Sequence, residues 1–133
     1  MDTLHDRICN LVKLSLEDKQ YSDFVSFPIS SITINKVKKK IYANLDSYIC
    51  IIHSDDIRHV EKEHGDEVMH ICKIPHYLEK FAKVEKSSTR DRASGKNIPC
   101  FVFTKKTETK DVRMVKMNIS KDKILRLKTM FEV

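Results

Sequence analysis

The chain has 133 residues, a third of them charged, with 25 Lys or Arg against 19 Asp or Glu and a formal net charge of +6. A domain of this length buries roughly two-thirds of its unfolded surface without disulfide or metal support, so one domain spanning residues 1–133 is expected. No stretch approaches the roughly 18 continuous apolar residues of a membrane span, the N-terminal MDTLHDRICNLVKL lacks the build of a secretory signal, and a cytoplasmic setting with no membrane partner follows as the expectation. Cys9, Cys50, Cys72 and Cys100 form no CxxC pair, which argues against a zinc ribbon or a dithiol redox site and for free, mostly buried thiols.

In chain order, Leu4, Ile8, Leu11 and Val12 make one helical stripe, with Asp2 or Thr3 as the cap, and predict a first amphipathic helix. YSDFVSFPIS carries Pro28 and reads as an extended edge segment or loop. Ile34, Val37, Ile41 and Leu45 recur at helical spacing, predicting a second helix over residues 31–46. YICIIH, residues 48–53, is β-branched and suits a buried strand. It runs straight into SDDIRHVEKEHGDE. There Ser54 is the expected N-cap, Asp55 and Asp56 suit the positive first turn, and Gly65 is the expected left-handed stop, giving a helix over 55–64. After Pro75, HYLEKFAKV predicts a further short helix. KSSTRDRASGKN, residues 86–97, is polar and aperiodic and reads as a flexible loop carrying Lys86, Arg90, Arg92 and Lys96. Beyond it the period changes to two in IPCFVFTKK, DVRMVKMNIS and KILRLKTMFEV, separated by TET and SKD. These predict three antiparallel strands in a meander. The class is therefore α+β, with N-terminal helices packed on a C-terminal twisted antiparallel sheet.

The basicity is uneven. Residues 83–128 hold 14 Lys or Arg and 5 Asp or Glu, whereas the remainder is net acidic. Such an excess favours a polyanionic partner, because each cation near a phosphate displaces a condensed counterion; a merely solvated lysine-rich surface is the alternative.

A helix turns about 100° per residue, which puts His59 and His64 about 140° apart and unable to grip one metal as the HExxH spacing does. HICKIPH, residues 70–76, is broken by Pro75 and matches no standard metal spacing, so neither a metal nor a cofactor is expected. His64 shares a face with Ile57 and Val60, as a packed histidine does. His59 shares the other face with Glu63, close to Lys62, and an imidazole there is free to exchange a proton near neutral pH. In the last strand Leu125, Leu127, Thr129, Phe131 and Val133 alternate with Ile124, Arg126, Lys128 and Met130. Thr129 is the lone hydroxyl of its row, either bonding the backbone or facing a cleft where it holds phosphate. Arg90, Lys96 and Lys105 are solvated charges unless an anion lies nearby.

Taken together, DIRHVEKEHG, IPHYLEKFAKV, a basic loop, FVFTKK, VRMVKMNI and LRLKTMF resemble the phage-associated nucleases of the barnase, EndoU, colicin and RelE-like group. The resemblance covers about residues 48–133, making 48–133 a nuclease-like core and 1–47 a helical N-terminal part. The pairing of IRHVEKEHG with the later KTMF is its most specific element. It implies a RelE/barnase-like fold and a toxin-like, metal-independent endoribonuclease in which the 2′-hydroxyl of RNA attacks the adjacent phosphate. On this basis His59 is the general acid or base and His64 is in the site or supports it. Thr129 contacts phosphate, and Lys62 and Lys105 are cations, with Arg90 and Lys96 as further substrate-binding candidates. The implied partners are transfer or messenger RNA and a neutralising protein. A non-catalytic RNA-binding module, or a phage accessory or immunity-type interaction domain, stands beside this reading.

Overall fold

A computed structural model describes residues 3–91, 93–106, 112–120 and 122–132. Its elements run α1 (Leu4–Glu17), β1 (Phe24–Pro28), α2 (Ser31–Ile41), β2 (Ile49–His53), α3 (Ser54–His64), a 3₁₀ helix (Gly65–Lys73), α4 (Ile74–Lys80), β3 (Lys83–Arg90), β4 (Asn97–Lys106), β5 (Val112–Ser120) and β6 (Ile124–Glu132). The class is α+β, as expected. No helix among the described residues is long and apolar enough to cross a membrane.

Local chemistry accounts for most of the starts and stops. Thr3 Oγ1 accepts the Asp6 N–H at 3.1 Å while Asp6 Oδ2 accepts the Thr3 N–H at 3.3 Å, a capping box that opens α1. Ser30 caps α2 through the Thr33 N–H, and Tyr42, at φ 57°, ends it. The helix thus stops at Ile41 rather than Asp46, and Leu45 reaches the core from the following turn. In α3 the cap is His53 rather than Ser54. Its Nδ1 accepts the Asp55 N–H at 3.0 Å, and Asp56 Oδ2 accepts the His53 N–H at 3.1 Å. The Ser54 hydroxyl is used elsewhere: fully buried, it accepts from Ser15 at 2.8 Å and from the Asp23 N–H at 3.1 Å, joining α1 and the approach to β1 to the start of α3. Gly65 does not take the left-handed conformation. At φ −51° and ψ −35° it continues the chain into the 3₁₀ helix. Pro75 sits in the first turn of α4, where a missing N–H costs nothing.

The six strands form one sheet in the order β1-β2-β6-β5-β4-β3. Strands β3 to β6 are an antiparallel meander, so the expected three strands are there with a fourth in front of them. The sheet as a whole is mixed, which corrects the expectation of a purely antiparallel one: β2 pairs in parallel with β6, through Ile49↔Ile124 to Ile51↔Arg126. The reason is connectivity. Everything from α3 to β5 lies between the two strands, long enough for the crossover that parallel pairing requires. The edge position of β1 agrees with Pro28, which has no donor for a further strand. The expected loop over 86–97 is half strand: Lys83–Arg90 pairs over its whole length with β4, leaving a short turn from Asp91 to Lys96. Arg92, the TET turn, Lys121 of the SKD turn, Asp2 and Val133 lie outside the described residues.

One cluster of buried apolar side chains draws on α1, β1, β2, α3, the 3₁₀ helix, α4 and the strands of the meander. Ile8, Ile52, Ile57, Ile71, Phe103, Met117 and Leu125 are fully enclosed within it. Cys50, Cys72 and Cys100 are buried thiols and Cys9 is half-buried. Two features of the frame shape the surface between α3 and the sheet. β6 continues beyond its pairing with β2, and there it meets α3. Opposite the continuation, Met117 pairs with Leu127 but Lys116 with Thr129, a bulge that leaves Lys128 without a cross-strand partner. The extra residue shifts the alternation. Met130 joins Leu125 and Leu127 in the core, while Thr129 stands beside Lys116.

Candidate functional site

An open cleft of about 570 Å³ lies between α3 and the turn end of the β3–β4 hairpin, floored by β5 and β6. Direct entry of β2 into α3 fixes the first wall. Ile57 and Val60 are sealed in the core, so the residues offset from them on the helix, His59, Lys62 and Glu63, line the cleft. His59 Nε2 lies 3.5 Å from Glu63 Oε2, one turn further along. A carboxylate on one ring nitrogen favours the tautomer with its proton there, and it stabilises the imidazolium if the other nitrogen gains a proton.

Lys116 and Asn118 of β5 and Lys128 and Thr129 of β6 form the floor. The bulge puts Lys128 and Thr129 there together. Among the described residues neither Lys62, Lys116 nor Lys128 makes a hydrogen bond or an ion pair. The Thr129 Oγ1 and Asn118 Oδ1 atoms are sealed from solvent without a hydrogen-bond partner among the described residues, so a ligand or an ordered water that reached them would relieve an unmet demand. The far wall carries Arg90 and Asp91. The Asp91 carboxylate accepts from the Ser94 hydroxyl at 2.8 Å and the Ala93 N–H at 3.2 Å, and Gly95, at φ 71°, closes the turn by donating to the Asp91 carbonyl at 2.7 Å. The Ser94 bond first, then the Ala93 N–H, with Lys128 contributing, hold the Asp91 carboxyl below its usual range.

Of the residues singled out from sequence, His59, Thr129, Lys62 and Arg90 converge on this cleft. His64 does not line it. Half-buried, its ring lies 5.4 Å from that of Phe131, tilted by 31°, which is a packing contact at the end of β6. Lys96 is exposed in the hairpin turn, where its backbone bonds Asp91 and Ser94. Lys105 lies at the other end of β4, about 20 Å along the strand, near Lys36. Lys128 escaped the sequence reading because plain alternation gives no bulge, and Lys116 and Asn118 because alternation puts them on one face of β5 without saying that this face floors a cleft. Among the described residues, no group of three or more His, Cys, Asp or Glu side chains is arranged to hold a metal.

A second ionic feature adjoins the floor. Arg126 Nε donates to both carboxylate oxygens of Asp56, at 3.1 and 3.0 Å. Burial pushes the Asp56 carboxyl up from its ordinary value, opposed by Arg126 and by the His53 N–H. The bond to Asp56 raises the Arg126 guanidinium in turn.

No protein-family model, curated protein or solved structure matches this chain.

Proposed function

We propose that this protein is a metal-independent endoribonuclease of toxin-like character, acting on transfer or messenger RNA and held in check by a neutralising protein. The observation that carries the reading is the His59–Glu63 pair, facing lysines that make no hydrogen bond or ion pair among the described residues across one cleft. Cleavage by the neighbouring 2′-hydroxyl needs a proton acceptor, a proton donor on the other side of phosphorus, and cations for the phosphorane. His59 takes the 2′-hydroxyl proton on Nδ1 while Glu63 stabilises the imidazolium from Nε2. The 2′-oxygen bonds phosphorus, the bond to the 5′-oxygen breaks, and a floor ammonium, Lys116 or Lys128, protonates the departing oxygen. The products are a 2′,3′-cyclic phosphate and a free 5′-hydroxyl. Lys62 and Arg90 offset the phosphorane charge, and Thr129 contacts phosphate once its hydroxyl is uncovered.

The reading includes a RelE/barnase-like placement of the fold, with helices stacked on the mixed sheet and its antiparallel meander. It is supported by the order of elements, helices ahead of a four-strand meander, and by the contact of α3 with β6. A second reading, a non-catalytic RNA-binding module, is favoured by one observation: among the described residues the cleft holds a single imidazole, and its other cations are lysines and an arginine.

The decisive assay incubates purified protein with total RNA in EDTA and maps 2′,3′-cyclic phosphate ends. Cleavage by the wild type that His59→Ala abolishes supports the nuclease. No cleavage, or equal cleavage by His59→Ala, defeats it, and salt-sensitive RNA binding that survives His59→Ala selects the binding module.

A further inference from the structure

Arg126 was not among the residues that the sequence singled out, and it does not line the cleft. Its surroundings nonetheless differ from those of a surface arginine. The Nε–H is committed to Asp56, whose side chain is only 12% exposed. Asp56 is fixed in turn by the His53 N–H at the start of α3. The Arg126 side chain is half exposed. Among the described residues its two terminal nitrogens make no hydrogen bond, which leaves four N–H donors in a planar fork. A guanidinium held through Nε keeps that fork in one orientation, and a planar fork of parallel N–H groups matches two oxygens of one phosphate.

Its place in the fold puts the fork next to the proposed reaction. Arg126 is the cross-strand partner of Asn118, which belongs to the floor. Its anchor Asp56 is one helical turn before His59, so the order Asp56, His59, Glu63 runs along one side of α3. Arg126 lies three positions before Thr129 along β6, about 10 Å.

We infer that Arg126, oriented by Asp56, forms a phosphate-binding subsite beside the cleft, taking a backbone phosphate of the RNA strand that flanks the one cleaved at His59. This rests on the RNA reading above. The ion pair is formally neutral, so the subsite works by donor geometry, while Lys116 and Lys128 next to it supply the attracting field. Asp55, the other acid near Arg126, is occupied by Arg58 at 3.2 Å.

The test measures binding of a short 2′-O-methyl oligoribonucleotide, which the proposed chemistry does not cut, over a range of salt. The proteins are wild type, Arg126→Lys, Asp56→Asn and, as a remote control, Lys105→Gln. Arg126→Lys keeps the charge and a partner for Asp56 but loses the fork; it is expected to bind about tenfold more weakly with an unchanged salt dependence, since no cation is removed. Asp56→Asn, which retains the fork but frees it, is expected to fall between Arg126→Lys and wild type, and Lys105→Gln to match wild type. Thermal unfolding of each variant separates this from a purely structural pair, which would lower the melting temperature and leave the affinity of the folded protein unchanged. Wild-type affinity in Arg126→Lys would overturn the subsite while leaving the nuclease reading standing. If wild type itself binds no oligonucleotide, the RNA reading fails and the subsite with it.

Discussion

The lysines at the two ends of β4 have different surroundings. At the Lys106 end, α2 brings Lys36 and Lys40 to the carbonyls that terminate α4. Lys36 Nζ donates to Glu79 and Phe81 at 3.0 and 2.8 Å and lies 4.1 Å above the Phe81 ring, and Lys40 donates to Ala82 at 3.3 Å. Burial, and then the neighbouring Lys40, Lys80 and Lys105, lower the Lys36 ammonium from its ordinary value. At the Asn97 end, Lys62, Lys116 and Lys128 face an open cleft and make no hydrogen bond or ion pair among the described residues, Lys128 acting on Asp91 only from a distance. The same residue type caps a helix in one place and awaits an anion in the other. Charge density in the sequence did not separate them; the presence of nearby carbonyls does.

Substitutions at the two ends test the contrast. The largest effect is expected for His59→Ala, which should slow RNA cleavage by about 10²–10⁴-fold, the usual worth of a general acid or base, and leave stability within about 0.5 kcal/mol because the ring is on the surface wall of α3. Cleavage kinetics beside thermal melts check both halves. At the capping end, Lys36→Met keeps the apolar stem over Phe81 but leaves two carbonyls without their ammonium, and denaturant titration should show a loss of about 1–2 kcal/mol. Lys128→Ala at the cleft should show the reverse profile, a stability change under about 0.5 kcal/mol with weaker, less salt-dependent RNA binding. Equal profiles for the two lysines would dissolve the distinction.

A fourth expectation concerns pH. A carboxyl raised by burial holds its proton more tightly folded than unfolded, so its contribution favours the fold in acid and is lost as pH rises through the folded value. Asp56 is such a group, and Arg126 offsets the cost of its charge. Arg126→Gln should therefore cost about 1 kcal/mol at pH 7, moderated because the arginine is half exposed, and less as the pH falls into the carboxylate range. Stability curves for the two proteins should converge in acid. The smallest effect is at Gly65. Its conformation is right-handed helical and an added Cβ meets nothing within 4 Å, so Gly65→Ala should stabilise by about 0.5–1 kcal/mol. Gly95→Ala, at φ 71°, should destabilise by about 1–2 kcal/mol.

Where local pattern decides structure, the sequence was legible. The β-branched run YICIIH predicted β2, the acids that open DDIRHVEKEH predicted α3 and its Ile57–Val60 face put His59 and Glu63 together away from it, and the period-two runs predicted β4, β5 and β6. Three features were hidden because their causes are not local. β3, KVEKSSTR, is an edge strand whose polar residues blunt an exposed edge, so little of its pattern is apolar. The parallel pairing of β2 with β6 joins segments some seventy residues apart. At Gly65 the composition signals a stop, but a 3₁₀ stretch that buries Val68 and Ile71 draws the chain onward. In the site, four of the seven singled-out residues meet, and Lys128 beside them depended on the bulge.

That bulge makes Lys128 supernumerary to the sheet. Were residue 128 deleted, Leu127 and Met130 would still point inward, Thr129 would still stand opposite Lys116, and every remaining position would alternate without interruption. A shortened strand of this kind would close more regularly than the native one, missing only a cation and the bend that presents it. The scaffold thus carries one residue that its own architecture does not require, on the floor of the cleft.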